Sequence, residues 1–158
     1  MLITPDWISK QDQESLLISA WQRLVNLMAE LCNTPAGFIV QADSSEFRVV
    51  IANDKPENPY AAGATISASI NIFCRKVVEL NQPLYEGKAT ENPEWLDNPE
   101  VTDDGFNTYL GYPLHWPDGS VFGTICVMDL AKTNFDQRYN TLLEHFREMA
   151  EKELELCD

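Results

Sequence analysis

Four cysteines (Cys32, Cys74, Cys126, Cys157) and two histidines (His115, His145) are the side chains best suited to nucleophilic, redox or metal chemistry in this chain. The cysteines are widely spaced and form no C-x-x-C pair. Cys32, Cys74 and Cys126 each sit within an apolar run, so buried free thiols in a reducing cytosol are expected. Thiol catalysis would need an accessible, low-pKa thiolate and a resolving thiol, and Cys74 with Cys126 is the pair that folding could bring together. No His/Cys cluster has metal-ligand spacing. Nucleophile elbow, phosphate-binding loop and zinc-protease motif are all absent, and no catalytic residue is assigned.

The elements that must position these groups are legible in the chain. At 158 residues, 44% of them hydrophobic, it suits one globular domain spanning 1–158. A net charge of −14 argues against nucleic acid and anionic membranes as partners. Neither a long apolar span nor a signal peptide is evident.

Ser9-x-x-Asp12 resembles a capping box, and Leu17, Trp21, Leu24, Met28 and Leu31 follow it at helical steps. Leu16, Ala20 and Leu27 add a second apolar stripe, which predicts two partners for this helix: its own core and a second chain. Pro35 ends it. Segments 36–42 and 47–52 read as a hairpin around Asp43-Ser44-Ser45. Ser67 can cap a helix whose apolar face is Ile70, Phe73, Val77 and Leu80, and Pro83-Leu84-Tyr85 suits a short strand.

The stretch 87–105 is acidic and turn-rich, and long loops in compact domains often carry function. Within it, Trp95 and Leu96 are apolar enough to fold back. A clear hairpin follows, 106–116 and 120–128 about Pro117-Asp118-Gly119, and a last helix of about 134–156 carries Leu142, Phe146, Met149 and Leu156. Pro113 within a strand suggests an edge or a bulge. The expected fold class is α+β, an antiparallel sheet with the terminal helices on one face.

Asn92-Pro-Glu-Trp-Leu-Asp-Asn-Pro-Glu-Val-Thr102 resembles the loop before the last hairpin of many bacterial GAF domains. Tyr109-Leu-Gly-Tyr-Pro-Leu114, Pro117-Asp-Gly119 and Gly123-Thr-Ile-Cys-Val-Met-Asp129 are similar to that hairpin, and Phe135 to Leu143 to the start of the closing helix. The resemblance implies a sensor of the kind found at the N-terminus of histidine kinases and diguanylate cyclases. It would be a cytoplasmic homodimer through its terminal helices, with the last helix leading to an output domain if the chain is a fragment.

It also implies a pocket between the sheet and the elements 65–105. Ser67, Cys74, Trp95, Asn107 and Tyr109 are the candidate ligand-binding residues. Alternation along the strand puts Asn107 and Tyr109 on one face and Phe106, Thr108 and Leu110 on the other; either set could be the core. The cofactor is left unknown. Neither histidine lies in the pocket region as a haem ligand, and no cysteine precedes a histidine as a bilin site would have it. Asn53 and Lys55 only partly match a cyclic-nucleotide pattern. Related domains carry an aspartate after the short strand, where this chain has Lys88. A ligand-free dimerisation module and a thiol enzyme like free methionine sulfoxide reductase are the competing readings.

Overall fold

The computed structural model describes residues 16–156. The capping-box residues Ser9 and Asp12, and Cys157, lie outside them. In order the elements are α1 (Leu16–Leu31), β1 (Ala36–Ala42), β2 (Glu46–Ala52), β3 (Thr65–Ser67), α2 (Phe73–Leu80), β4 (Leu84–Glu86), α3 (Pro99–Thr102), β5 (Thr108–His115), β6 (Val121–Asp129) and α4 (Gln137–Leu156). The strands form one antiparallel sheet in the order β3-β2-β1-β6-β5-β4. This is the α+β architecture expected, and among the described residues no helix is long and apolar enough to cross a membrane.

Both faces of the sheet are covered. On one side α1 and α4 pack together over Ile39, Ile51, Leu110, Leu114, Ile125 and Val127. On the other, α2 and the segment 87–106 cover Phe38, Val40, Phe47, Tyr109, Cys126 and Met128. Side-chain alternation thus sends Ile125 and Val127 to the helices and Cys126 and Met128 to the opposite layer. The face that sequence left open is fixed as well: Tyr109 points to the α2 side and Leu110 to the helix pair, but Phe106, expected with Leu110, joins Tyr109 because it precedes β5 and escapes the strand's alternation.

Helix α1 buries Leu17, Trp21, Leu24 and Met28 as its periodicity demands, but Leu31 is exposed. The next core position one turn beyond Met28 is Cys32, and the chain then turns at left-handed Asn33. In α4 the buried stripe is Leu143, Phe146, Ala150 and Leu154; Met149 and Leu156 face outward and Leu142 is half-buried. The small side chain at 150 explains the difference, because Trp21 closes onto it and donates its indole N–H to the Ala150 carbonyl at 3.1 Å.

Ser67 does not cap α2. It ends β3, its hydroxyl meets that of Ser69 at 2.9 Å, and the helix begins six residues later without a side-chain cap from Ile72. Its C-terminus ends in left-handed Asn81, and Leu80 is exposed.

Pro113 is accommodated because β4 reaches only to the Leu84↔Gly111 pair, leaving β5 as the sheet edge beyond it. Gly123 faces Gln41 across β1, where an added Cβ would overlap the Val40 carbonyl. Segment 87–105 is a series of short helical turns and no open loop: Asn92 and Asn98 each accept the amide two residues on, and Pro93 and Pro99 occupy the first helical positions. Trp95 folds back and is buried, whereas Leu96 stays exposed.

Candidate functional site

A cavity of about 160 Å³ opens between the sheet and the α2 layer. Its floor is apolar: Phe38 and Val40 from β1, Phe47 and Val49 from β2, and Cys126 and Met128 from β6. Ala64, Thr65 and Ile66 form one wall, Ile72 and Cys74 the roof, and Pro99, Glu100 and Asp104 the far wall. Tyr60 stands at the rim with its ring between Phe38 and Phe106, at centroid distances of 5.8 and 5.9 Å. Its hydroxyl donates to Asp104, which clasps the 53–64 loop to the end of α3. Burial, that hydrogen bond and the charges of Glu100 and Asp103 push the phenol well above its ordinary range, so it remains a donor.

Glu100 provides the cap that α2 lacks. Its Oε1 accepts the Phe73 amide at 3.1 Å, tying the helix N-terminus to α3. Burial pushes the Glu100 carboxyl up to about 7; the Phe73 amide and the neighbouring Asn98 side chain oppose the rise, and the Asp104 charge adds to it.

Of the five residues nominated from sequence, Cys74 lines the cavity. Tyr109 and Trp95 stand behind it in an aromatic column. Phe73 lies 4.8 Å from Tyr109, nearly parallel, and 4.6 Å from Trp95. Gly111 leaves the space over which the Tyr109 phenol lies. Ser67 is exposed, next to the wall residues Thr65 and Ile66. Asn107 turns to the loops, accepting from the Thr90 hydroxyl at 2.6 Å and donating to the Leu130 carbonyl at 3.2 Å.

Glu100, Asp104 and Tyr60 went unrecognised in the sequence. The one signal there was repetition: Asn98-Pro99-Glu100 copies Asn92-Pro93-Glu94.

Cys126 also faces the cavity, although only Cys74 was expected on pocket elements. The Cys74 thiol lies 3.2 Å from the Thr124 hydroxyl and 3.5 Å from the Tyr109 hydroxyl. Contact with Cys74 and burial push the Cys126 thiol well up, as burial alone pushes Cys32 up to about 12. All three are free, buried thiols. Lys88 is exposed, and the nearby acid Glu86 is structural: it receives the Lys88 amide, the Asn92 amide group and the Trp95 indole N–H. Burial acts to raise its carboxyl, but these hydrogen bonds outweigh it and hold the group below its ordinary range.

His115 lies away from the cavity and joins three elements. Its Nε2 meets Asn81 Oδ1 at the end of α2 at 2.7 Å, and its Nδ1 meets Glu151 Oε2 on α4 at 2.7 Å. Arg147 holds the same carboxylate at 3.0 Å. His145 is exposed on α4. Among the described residues no group of three or more His, Cys, Asp or Glu is placed to hold a metal.

Residues 17–154 match the family model of the GAF domain. The chain belongs to the GAF family. This GAF domain is similar to the diguanylate cyclase DgcP of Escherichia coli (strain K12), at 21% identity over 136 residues. That match takes in 85% of this chain but only 39% of the cyclase. Among solved structures, the GAF domain region of a putative membrane protein from Geobacter sulfurreducens PCA aligns at a TM-score of 0.73 and 13% identity, covering 92% of this chain and 97% of that one. Free methionine-R-sulfoxide reductase from Neisseria meningitidis, solved with its substrate, aligns at 0.72 and 16%, covering 90% and 80%. At such identities the likeness is one of fold, and GAF domains as a family are regulatory sensory modules.

Proposed function

We propose that this GAF domain is a non-enzymatic sensor of a histidine kinase or diguanylate cyclase type signalling protein. It binds a small molecule in the α2-side cavity and pairs with a second copy through α1 and α4. The observation that carries this is the cavity itself: a defined apolar floor with a few convergent polar groups, the usual form of a small-molecule site. The weak likeness to a diguanylate cyclase supports the output assignment. The apolar Leu16, Leu27, Leu31, Met149 and Leu156, all exposed on the terminal helices, support pairing.

A polar route connects the two layers. Glu100 holds the first turn of α2, Asn81 at its last turn meets His115, and His115 meets Glu151 on α4. A ligand that shifts Glu100 would bias the seating of α2 and, through His115, the register of the terminal helices.

A thiol reductase is the second reading, favoured by Cys74 and Cys126 meeting in the cavity and by the reductase neighbour. Contact with Cys74, with burial, keeps the Cys126 thiol protonated, which disfavours it as a nucleophile.

Native mass spectrometry with an absorption spectrum, on protein from a bacterial host, separates these readings. A dimer with a reproducible added mass is the expected result. A bare, colourless dimer favours dimerisation as the sole role, and a monomer refutes coupling through paired helices. Thiol-dependent turnover lost in Cys74→Ser would establish the enzyme.

A further inference from the structure

We propose that the cavity takes a small monocation, an ammonium-type head on a compact apolar body, with the head held between Glu100 and Asp104. This rests on the reading of the cavity as a ligand site. The polar side-chain atoms that line it are two carboxylates, the Tyr60 and Thr65 hydroxyls and the Cys74 and Cys126 thiols, and among the described lining residues there is no Lys, Arg or His. An anionic ligand would find no countercharge there, and would approach a chain of net charge −14.

Among the described residues the two carboxylates also meet no cation. Glu100 is engaged by the Phe73 amide and stands beside the Asn98 side chain, both of them neutral donors. Asp104 uses Oδ2 for the Tyr60 hydroxyl, again a neutral donor. The cations of α2 are committed elsewhere: Arg75 to Glu79 at 3.0 Å, and Lys76 to Glu94 at 2.6 Å. Asp104 is exposed and keeps its hydration, whereas Glu100 is only partly exposed against the apolar lining, and a carboxylate so placed is unfavourable until something supplies a countercharge. An ammonium group supplies both charge and donors, and the Phe38, Phe47 and Met128 side chains then receive its hydrocarbon body. Glu100 ionises as the cation enters, releasing its proton to solvent where it was held.

Three probes of matched shape test the charge: phenethylammonium, its neutral counterpart phenethyl alcohol, and hydrocinnamate. Binding is read on the full chain by calorimetric titration and by the NMR signal of the Met128 ε-methyl group on the cavity floor. Phenethylammonium should shift that signal and bind at least about tenfold tighter than the alcohol, as a charge-assisted hydrogen bond implies. Hydrocinnamate should leave it unmoved. Glu100→Gln and Asp104→Asn keep acceptors for the Phe73 amide and the Tyr60 hydroxyl, so each should weaken the ammonium about tenfold and leave the alcohol unchanged.

If the alcohol or the carboxylate binds as tightly as the ammonium, the cation preference is wrong and the cavity remains a ligand site. The preference is equally wrong if neither substitution weakens the ammonium. If none of the three moves Met128, both the preference and the ligand-site reading are overturned.

Discussion

Replacing Glu100 with glutamine should change the pH dependence of folding by an amount the structure sets. In the folded chain its carboxyl is raised to about 7 from an ordinary 4.5, chiefly by burial. The folded state therefore binds this proton to higher pH than the unfolded state does. Stability falls as pH rises through the window between about 4.5 and 7, and above it the partly buried charge is carried at full cost. At about 1.4 kcal/mol per pH unit the gap corresponds to ~3 kcal/mol, most of which falls between pH 5 and 8.5. Glutamine keeps an acceptor for the Phe73 amide and removes the charge. A carboxylate remote from Glu100 cancels in the difference, as does Asp43, which backbone amides of Ser45 and Glu46 hold below its ordinary range.

Urea unfolding of both proteins at pH 5, 6, 7 and 8.5 is the assay. The variant should gain on the wild type by about 2–3 kcal/mol between the extremes, or roughly 5–10 °C in a thermal melt for a domain of this size. Parallel stability curves would refute the account, because they would mean that Glu100 titrates as an exposed side chain.

Gly123→Ala should cost more than ~3 kcal/mol or abolish folding, since the new Cβ meets Val40 backbone that cannot retreat without parting β1 from β6; expression and urea melts decide it. Gly119→Ala should cost only ~1 kcal/mol, because no atom lies within 4 Å and only its positive φ of 90° is at stake, a difference the same melts resolve. His115→Ala should destabilise by about 1–3 kcal/mol through loss of its contacts to Asn81 and Glu151, and hydrogen exchange should quicken at the end of α2 and in α4 together. Leu27→Glu with Met149→Glu, both on exposed positions, should yield a monomer by light scattering with little change in melting temperature.

Much of the fold was legible because it is written in local patterns. Helical spacing marked Leu17, Trp21, Leu24 and Met28, and Pro117-Asp118-Gly119 marked the hairpin whose Gly119 has positive φ. The misreadings share a cause: the deciding partner is distant in sequence. Ala150 entered the buried stripe of α4 because Trp21, 129 residues away, packs on it. Ser67 had the chemistry of a helix cap, yet the role fell to Glu100, 27 residues beyond Phe73.

The candidate site was less legible for the same reason. Glu94 and Glu100 occupy equivalent places in two Asn-Pro-Glu turns, but Glu94 faces solvent and Lys76 while Glu100 faces the cavity. No local pattern separates them. Trp95 and Tyr109 stood out as large aromatics near the right elements, and their stacking with Phe73 uses them as packing.

The division of the core into two clusters by a single sheet bears on how such domains diverge. A substitution at Phe47 or Ile66 alters the cavity side and leaves the packing of Trp21 on Ala150 untouched, and the converse holds for changes in α1 and α4. Residues that bridge the layers, Gly123 where two central strands nearly touch and His115 between the end of α2 and α4, are answerable to both faces. Lineages can therefore retune what is recognised and how protomers associate along separate mutational paths, with few epistatic ties between them. A scaffold partitioned in this way can lose most of its sequence similarity while its Cα trace persists, as the 13% identity and 0.73 TM-score with the Geobacter domain exemplify.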